Sequence, residues 1–117
     1  MRVLVCGDRY WSDADLILAR LAQFNPGDVV IHGGANGADT IAGMCAQKLG
    51  HNVEVFRADW NTYGRAAGPI RNRVMLDTKP DLVIAFHDCI AASKGTRDCT
   101  TEAKKRGISV ELIAHTP

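Results

Sequence analysis

The stretch His32-Gly33-Gly34-Ala35-Asn36-Gly37-Ala38-Asp39 holds residue types suited to binding phosphate. It follows the apolar run Asp28-Val29-Val30-Ile31 and precedes an apolar-periodic run from Ile41 to Leu49. A strand that ends in a glycine-rich turn and opens a helix lets the backbone approach an anion closely. The first helical turn then adds unpaired N–H groups at the positive end of a dipole. Gly33, Gly34, Ala35 and Gly37 are therefore candidate ligand-binding positions. Asp39 either favours the helix start through the dipole or offers a carboxylate to a ribose hydroxyl or a neighbouring group. The G-G-x-x-G spacing is not the G-x-G-x-x-G dinucleotide fingerprint, and no Lys-Ser or Lys-Thr pair follows its last glycine. NAD and Walker-type nucleotide binding are disfavoured, and no cofactor is expected.

Three further junctions are polar in the same way. Arg71 and Asn72 open a predicted helix, where the dipole disfavours a cation; that misfit directs Arg71 to an anion in a cleft, with Asp59 and Asp77 as competing partners. In Ser93-Lys94-Gly95-Thr96-Arg97-Asp98, Gly95 permits a sharp turn, Thr96 caps a helix whose N–H groups face an anion, and Asp98 lies nearby. Gly7, Asp8 and Arg9 leave the first strand. Trp60 and Tyr63 read more readily as packing anchors than as base platforms. His32 and His87 directly follow strands and are either titrating groups or satisfied structural histidines, whereas His51 and His115 read as surface residues. Cys6, Cys45, Cys89 and Cys99 are widely spaced, which predicts reduced, mostly buried thiols and no metal site.

Several elements must position these groups. Strands are predicted over Arg2–Cys6, Asp28–Ile31, Asn52–Phe56, Asp81–Phe86 and Ile108–Ile113. Helices are predicted after a cap at Ser12 or Asp13, over Ala38–Leu49, Pro69–Asp77 and Thr96–Arg106, with Ala58 to Pro69 irregular, His87 to Gly95 a loop and Ala114 to Pro117 a tail. The alternation implies an α/β, Rossmann-like doubly wound sheet of about five mainly parallel strands with helices on both faces. In such sheets ligands lie beyond the carboxyl ends of the strands, where all four polar loops fall.

A chain of 117 residues fits one domain, residues 1–117. Its 14 basic residues nearly balance 13 acidic ones, which gives no electrostatic case for nucleic acid beyond a local strip of Arg65, Arg71, Arg73 and Lys79. No apolar run approaches the roughly 20 residues of a membrane helix, and the strand-like N-terminus does not read as a signal peptide. A cytoplasmic location is expected.

Taken together, Val5-Cys6-Gly7-Asp8-Arg9, His32 to Asp39, Ala58-Asp59-Trp60, Gly64 to Met75 and Lys94 to Asp98 resemble the SLOG superfamily, specifically its YspA-type branch. The resemblance implies a Rossmann-like fold that binds nucleotides or nucleotide-derived ligands. The superfamily also includes the Lonely Guy phosphoribohydrolases, often called lysine decarboxylase-like, and the DNA-processing protein DprA. Proteins of the YspA-type branch occur in bacteria and their phages. By similarity to the phosphoribohydrolases, Arg71 matches a catalytic arginine and Gly95-Thr96 the end of a P-G-G-x-G-T loop. Cys99 stands where their glutamate is expected, and Asp98 is the nearest carboxylate.

The leading expectation is a protein that binds a nucleotide or nucleotide-derived signal at the sheet edge. The alternative is a phosphoribohydrolase-like N-glycosidase with Arg71 and Asp98 as catalytic residues; a DprA-like DNA handler ranks third. A homo-oligomer, by default a dimer, is expected near the Pro69–Asp77 helix, whose Ile70, Val74 and Met75 adjoin Trp60 and Tyr63.

Overall fold

The computed structural model describes residues 1–115. Its short apolar runs become β1 (Arg2–Gly7), β2 (Val29–His32), β3 (Asn52–Val55), β4 (Leu82–Phe86) and β5 (Ser109–Ile113). They form one sheet in the order β3-β2-β1-β4-β5, with every neighbouring pair parallel. The helices are α1 (Ala14–Leu21), α2 (Ala38–Lys48), α3 (Trp60–Tyr63), α4 (Ala67–Asp77) and α5 (Lys94–Lys105).

Successive strand residues point to opposite faces, so each central strand contributes to two cores. Val3, Val5, Val30, Ile84 and Phe86 pack with Ile17 and Leu21 of α1 and Ala42 and Ala46 of α2. Leu4, Cys6, Ile31, Val83 and Ala85 pack with Met75 and Leu76 of α4 and Cys99 and Ala103 of α5. β1 and β4 are buried on both faces, which explains their continuous apolar character. The expected Rossmann-like architecture is present, with two helices on each face.

Local differences have identifiable causes. Asp13, not Ser12, caps α1, its Oδ1 accepting the Leu16 N–H at 3.2 Å. The segment expected to be irregular carries α3, capped by Asp59, whose Oδ1 accepts the Thr62 N–H at 3.1 Å. A 3-10 turn over Gly64–Ala66 leads into α4, which starts at Ala67 rather than Pro69. Proline is tolerated there because first-turn N–H groups need no helical acceptor. Likewise α5 starts two residues before Thr96, because Ser93 is the cap: its Oγ accepts the Thr96 N–H at 3.3 Å. His51 is buried rather than on the surface, its Nε2 lying 2.9 Å from the Leu21 carbonyl oxygen. Of the expected tail, Thr116 and Pro117 lie outside the described residues.

His115 forms a clamp. Its ring stacks on Trp11 with centres 4.3 Å apart, Nε2 lies 2.9 Å from Asp13 Oδ2 and Nδ1 lies 2.9 Å from Asp88 Oδ2. The hydrogen bonds to Asp88 and then Asp13 raise the imidazole pKa, while hydrogen bonds to His115 help lower those of both carboxyls. A raised histidine pKa adds stability that is complete below the unfolded value and disappears as pH rises through the folded value; the lowered carboxyl values remove it again in acid. The difference in Tm between the wild-type chain and His115→Gln should therefore be largest near about pH 5–6 and shrink with rising pH. A pH-independent difference in thermal melts would refute the clamp.

Candidate functional site

At the centre of the sheet, β1 leads to α1 on one face while β4 leads to α5 on the other. Their exit loops diverge, and a cleft of about 760 Å³ opens between them. Gly7 is required at its base, because a Cβ there would collide with the Phe86 carbonyl oxygen and lie 2.8 Å from the Ala38 Cβ. Beyond it, the Asp8 carbonyl accepts N–H bonds from Trp11 (3.0 Å) and Ala38 (3.1 Å), and Asp8 Oδ1 accepts the Tyr10 N–H at 2.9 Å. The loop carrying Asp8 and Arg9 is thereby tied to α2, and both residues line the cleft.

The glycine-rich loop after β2 is closed on itself. Asp39 Oδ2 accepts the N–H groups of Gly33 (3.0 Å) and Ala35 (3.3 Å), and His32 Nδ1 accepts that of Gly34 at 3.0 Å. Arg71 Nη1 donates to the Gly33 carbonyl at 2.7 Å, and Arg57 Nη1 to that of Gly34 at 3.3 Å. The N–H groups of Gly33 and Gly34 are thus already engaged and do not form the expected phosphate cradle. Gly33 instead makes room for the Arg71 guanidinium, and Gly37, at φ +74°, makes room for the Asp8 and Arg9 backbone. Of this loop, Ala35 and Asp39 reach the cleft.

Asp39 is 6% exposed, and burial pushes its pKa up to about 6 against the lowering effect of the Ala35 N–H, the Arg71 charge and the Gly33 N–H. Its Oδ1 has no protein partner among the described residues. Desolvation, and then Arg57, lowers the pKa of His32. The Cys99 side chain, then burial, holds the Cys6 thiol well above its ordinary value, which keeps it unreactive at neutral pH. Cys6, Cys45 and Cys99 are buried thiols, while Cys89 is exposed at the cleft. Among the described residues, no group of three or more His, Cys, Asp or Glu side chains is placed to hold a metal ion.

The opposite wall is the first turn of α5, with Ser93, Lys94, Gly95 and Thr96 on the cleft. The first helical backbone bond runs from the Arg97 N–H to the Ser93 carbonyl, so the N–H groups of Lys94 and Gly95 precede the helical ladder. Gly95 does not form the expected sharp turn: it lies within α5, and a Cβ there would meet nothing within 4 Å.

Arg71 and Asn72 of α4 complete the lining. Arg71 pairs with neither Asp59 nor Asp77; besides Gly33, its Nε donates to Asn72 Oδ1 at 3.0 Å. Asn72 is buried and donates to Asp98 Oδ2 at 3.0 Å and to the Gly95 carbonyl at 3.3 Å, joining α4 to α5. Asp98 does not line the cleft. Its carboxylate is held by Asn72 and by Arg73 (3.2 Å), which also binds Glu102 at 3.1 Å. The expected Arg71–Asp98 catalytic pair is therefore not assembled, because Asp98 fastens two helices together. The same ion pairs neutralise Arg73 within the expected basic strip.

The structure thus brings Gly7, Asp8, Arg9, Ala35, Asp39, Arg71, Asn72, Gly95 and Thr96 to one cleft, and leaves Gly33, Gly34, Gly37 and Asp98 behind it as supports. Sequence reasoning gave His87 and Ser93 no ligand role. The signals for them were a histidine directly after a strand and a serine three residues before a threonine at a helix start. Arg71 also borders a second groove of about 410 Å³ with Phe56, Arg57, Tyr63, Ile70 and Val74. Tyr63 lines it and is 51% exposed, and Trp60, whose ring edge lies over Gly68, is 59% exposed, so neither is the buried anchor expected.

Comparison with known proteins agrees with the fold. The chain is similar in fold to DNA processing protein A (DprA) from Streptococcus pneumoniae, with a TM-score of 0.82 at 20% identity over 98% of the chain. It spans 50% of that protein's length. It is 42% identical to the gene 61 protein of Mycobacterium phage D29, over 93% of each chain. The family model of the YspA, cpYpsA-related SLOG proteins matches residues 1–63. With more than half its length matched by that model, the chain belongs to the YspA, cpYpsA-related SLOG family.

Proposed function

We propose that the chain binds a nucleotide or nucleotide-derived ligand in the cleft, as a sensor or ligand-binding protein. The observation that carries this reading is Gly95. It lies in helical backbone, where glycine weakens the fold, it lines the cleft, and a side chain there would meet only open space. A glycine that folding does not require leaves room for a ligand against the backbone. The N–H groups of the first turn of α5, the positive dipole end and Lys94 suit a phosphoryl group. The unpartnered Asp39 oxygen on the same cleft suits a ribose hydroxyl, and Arg71 supplies a fixed cation near both.

Calorimetry against mononucleotides, cyclic nucleotides and ADP-ribose derivatives tests the reading. Gly95→Ala should leave the Tm unchanged or slightly raised and weaken binding roughly tenfold or more, as expected when a methyl group blocks a close hydrogen bond. The absence of binding by every compound at millimolar concentration would overturn the proposal.

The exposed Trp60, Tyr63, Ile70 and Val74 beside the second groove support a homodimer through this face, adjacent to the cleft through Arg71. Light scattering at micromolar concentration should return twice the chain mass; a monomer would refute it.

A further inference from the structure

His87 closes β4 and lines the cleft, yet it is only 7% exposed. Its Nδ1 accepts the Cys89 N–H at 2.9 Å. A nitrogen that accepts a bond from a backbone donor carries a lone pair, so the neutral ring bears its proton on Nε2. Protonating Nδ1 would break the bond to Cys89. The loop that holds the ring therefore fixes its tautomer. Among the described residues, Nε2 has no hydrogen-bond partner, and unlike His51 Nδ1 it is not sealed from solvent.

His32 shows what a closed version of this arrangement looks like. It also ends a strand, and its Nδ1 also accepts the N–H two residues on, at 3.0 Å from Gly34. Its Nε2, however, faces α2, where a Cβ on Gly43 would lie 2.7 Å away. The same local device thus points into a packed helix after β2 and into the cleft after β4. The Nε2–H of His87 is therefore available to an acceptor that enters the cleft.

The neighbouring groups define that acceptor. Ser93, Lys94, Gly95 and Thr96 of the first turn of α5 line the same cleft, with backbone donors, a positive dipole end and one ammonium group. An oxyanion suits these donors and the ammonium group together. We infer that His87 is a specificity-determining ligand contact: an imidazole that donates its Nε2–H to an oxygen of a phosphoryl group held at the first turn of α5. The inference rests on the nucleotide reading for its ligand but not for its geometry. A phosphoryl oxygen comes either from a nucleotide or from free inorganic phosphate, and the test separates the two.

Two substitutions in the full chain divide the functions of the ring. His87→Asn keeps an acceptor for the Cys89 N–H and loses the reach of Nε2. His87→Gln places an amide N–H near the Nε2 position. Calorimetry with AMP should show affinity roughly tenfold weaker in His87→Asn and within about threefold of wild type in His87→Gln, as expected for loss and retention of one hydrogen bond. Adenosine binding should be the same in all three. Independently of whether the variants fold, side-chain nitrogen NMR of the wild-type chain should show the Nε2–H tautomer. Titration with inorganic phosphate should shift His87 Nε2 together with the Gly95 amide.

An Nδ1–H tautomer, or phosphate that moves Gly95 without His87 or moves neither, overturns the inference. AMP bound equally by wild type and His87→Asn also overturns it and leaves the nucleotide reading standing. Phosphate that moves His87 in a chain binding no nucleotide supports the anion contact and removes the nucleotide reading.

Discussion

Gly37→Ala is expected to destabilise the chain by roughly 2–6 kcal/mol and to lower the Tm by about 10 °C or more. Two independent costs add. Gly37 is held at φ 74° and ψ −125°, a conformation open essentially only to glycine, which contributes about 1–3 kcal/mol. A Cβ would also collide with the Asp8 carbonyl oxygen and lie 2.5 Å from Arg9 backbone atoms, a clash with main chain that no side-chain rotation relieves; overpacking of this kind costs about 1–3 kcal/mol. The collision would push the Asp8–Arg9 loop away from α2, so ligand affinity should fall with stability. Gly64→Ala is the matched control. It carries φ +55° but has nothing within 4 Å of its added Cβ, so only the backbone cost applies. Thermal denaturation of both variants checks the argument, and a Gly37→Ala Tm no lower than that of Gly64→Ala would show that the collision is absent.

Asp39 carries the second large effect, and its two substitutions should differ in kind. Asp39→Ala removes the acceptor shared by the Gly33 and Ala35 N–H groups and should destabilise by roughly 2–4 kcal/mol. Asp39→Asn keeps an oxygen for those donors and removes a charge that burial disfavours, so its stability at neutral pH should be close to wild type. The distinguishing measurement is pH dependence. Because the folded pKa is raised from 3.8 to about 6, the native chain binds more protons than the unfolded chain between those values. Stability therefore falls as pH rises through that window, by an amount on the order of 2–3 kcal/mol, and Asp39→Asn should lack that fall. Denaturant unfolding at about pH 4 and pH 7 separates the two curves, and identical pH slopes for wild type and Asp39→Asn would show that the carboxyl does not titrate as its burial implies.

The polar loops and their place at the strand ends were legible in the sequence because both are local properties. Continuous apolar runs such as Val3-Leu4-Val5 and Val83-Ile84-Ala85 mark strands buried on two faces, and alternation with helices leaves a parallel sheet as the economical solution. The resemblance to SLOG proteins rested on the same loops, and the family match agrees with it. Helix starts were less legible. A proline at position 69 and a threonine at 96 are plausible first residues or caps, but Ser93 and the turn at Gly64–Ala66 started the helices earlier.

What the tertiary structure alone decided is which polar groups face the ligand and which hold the cleft together. Asp98 and Asp39 are both carboxylates in or near a helix start, and the sequence offers no means of ranking them. The packing of α4 on α5 places Asp98 against Asn72 and Arg73, while the closed loop after β2 leaves one oxygen of Asp39 without a partner among the described residues. His32 and His87 are likewise equivalent as strand-ending residues, and only the helix packed over one of them makes them different. Local sequence sets which groups are available near a strand end. Hydrogen bonds between residues far apart in the chain set which remain unpaired, and those depend on how the helices pack across the sheet.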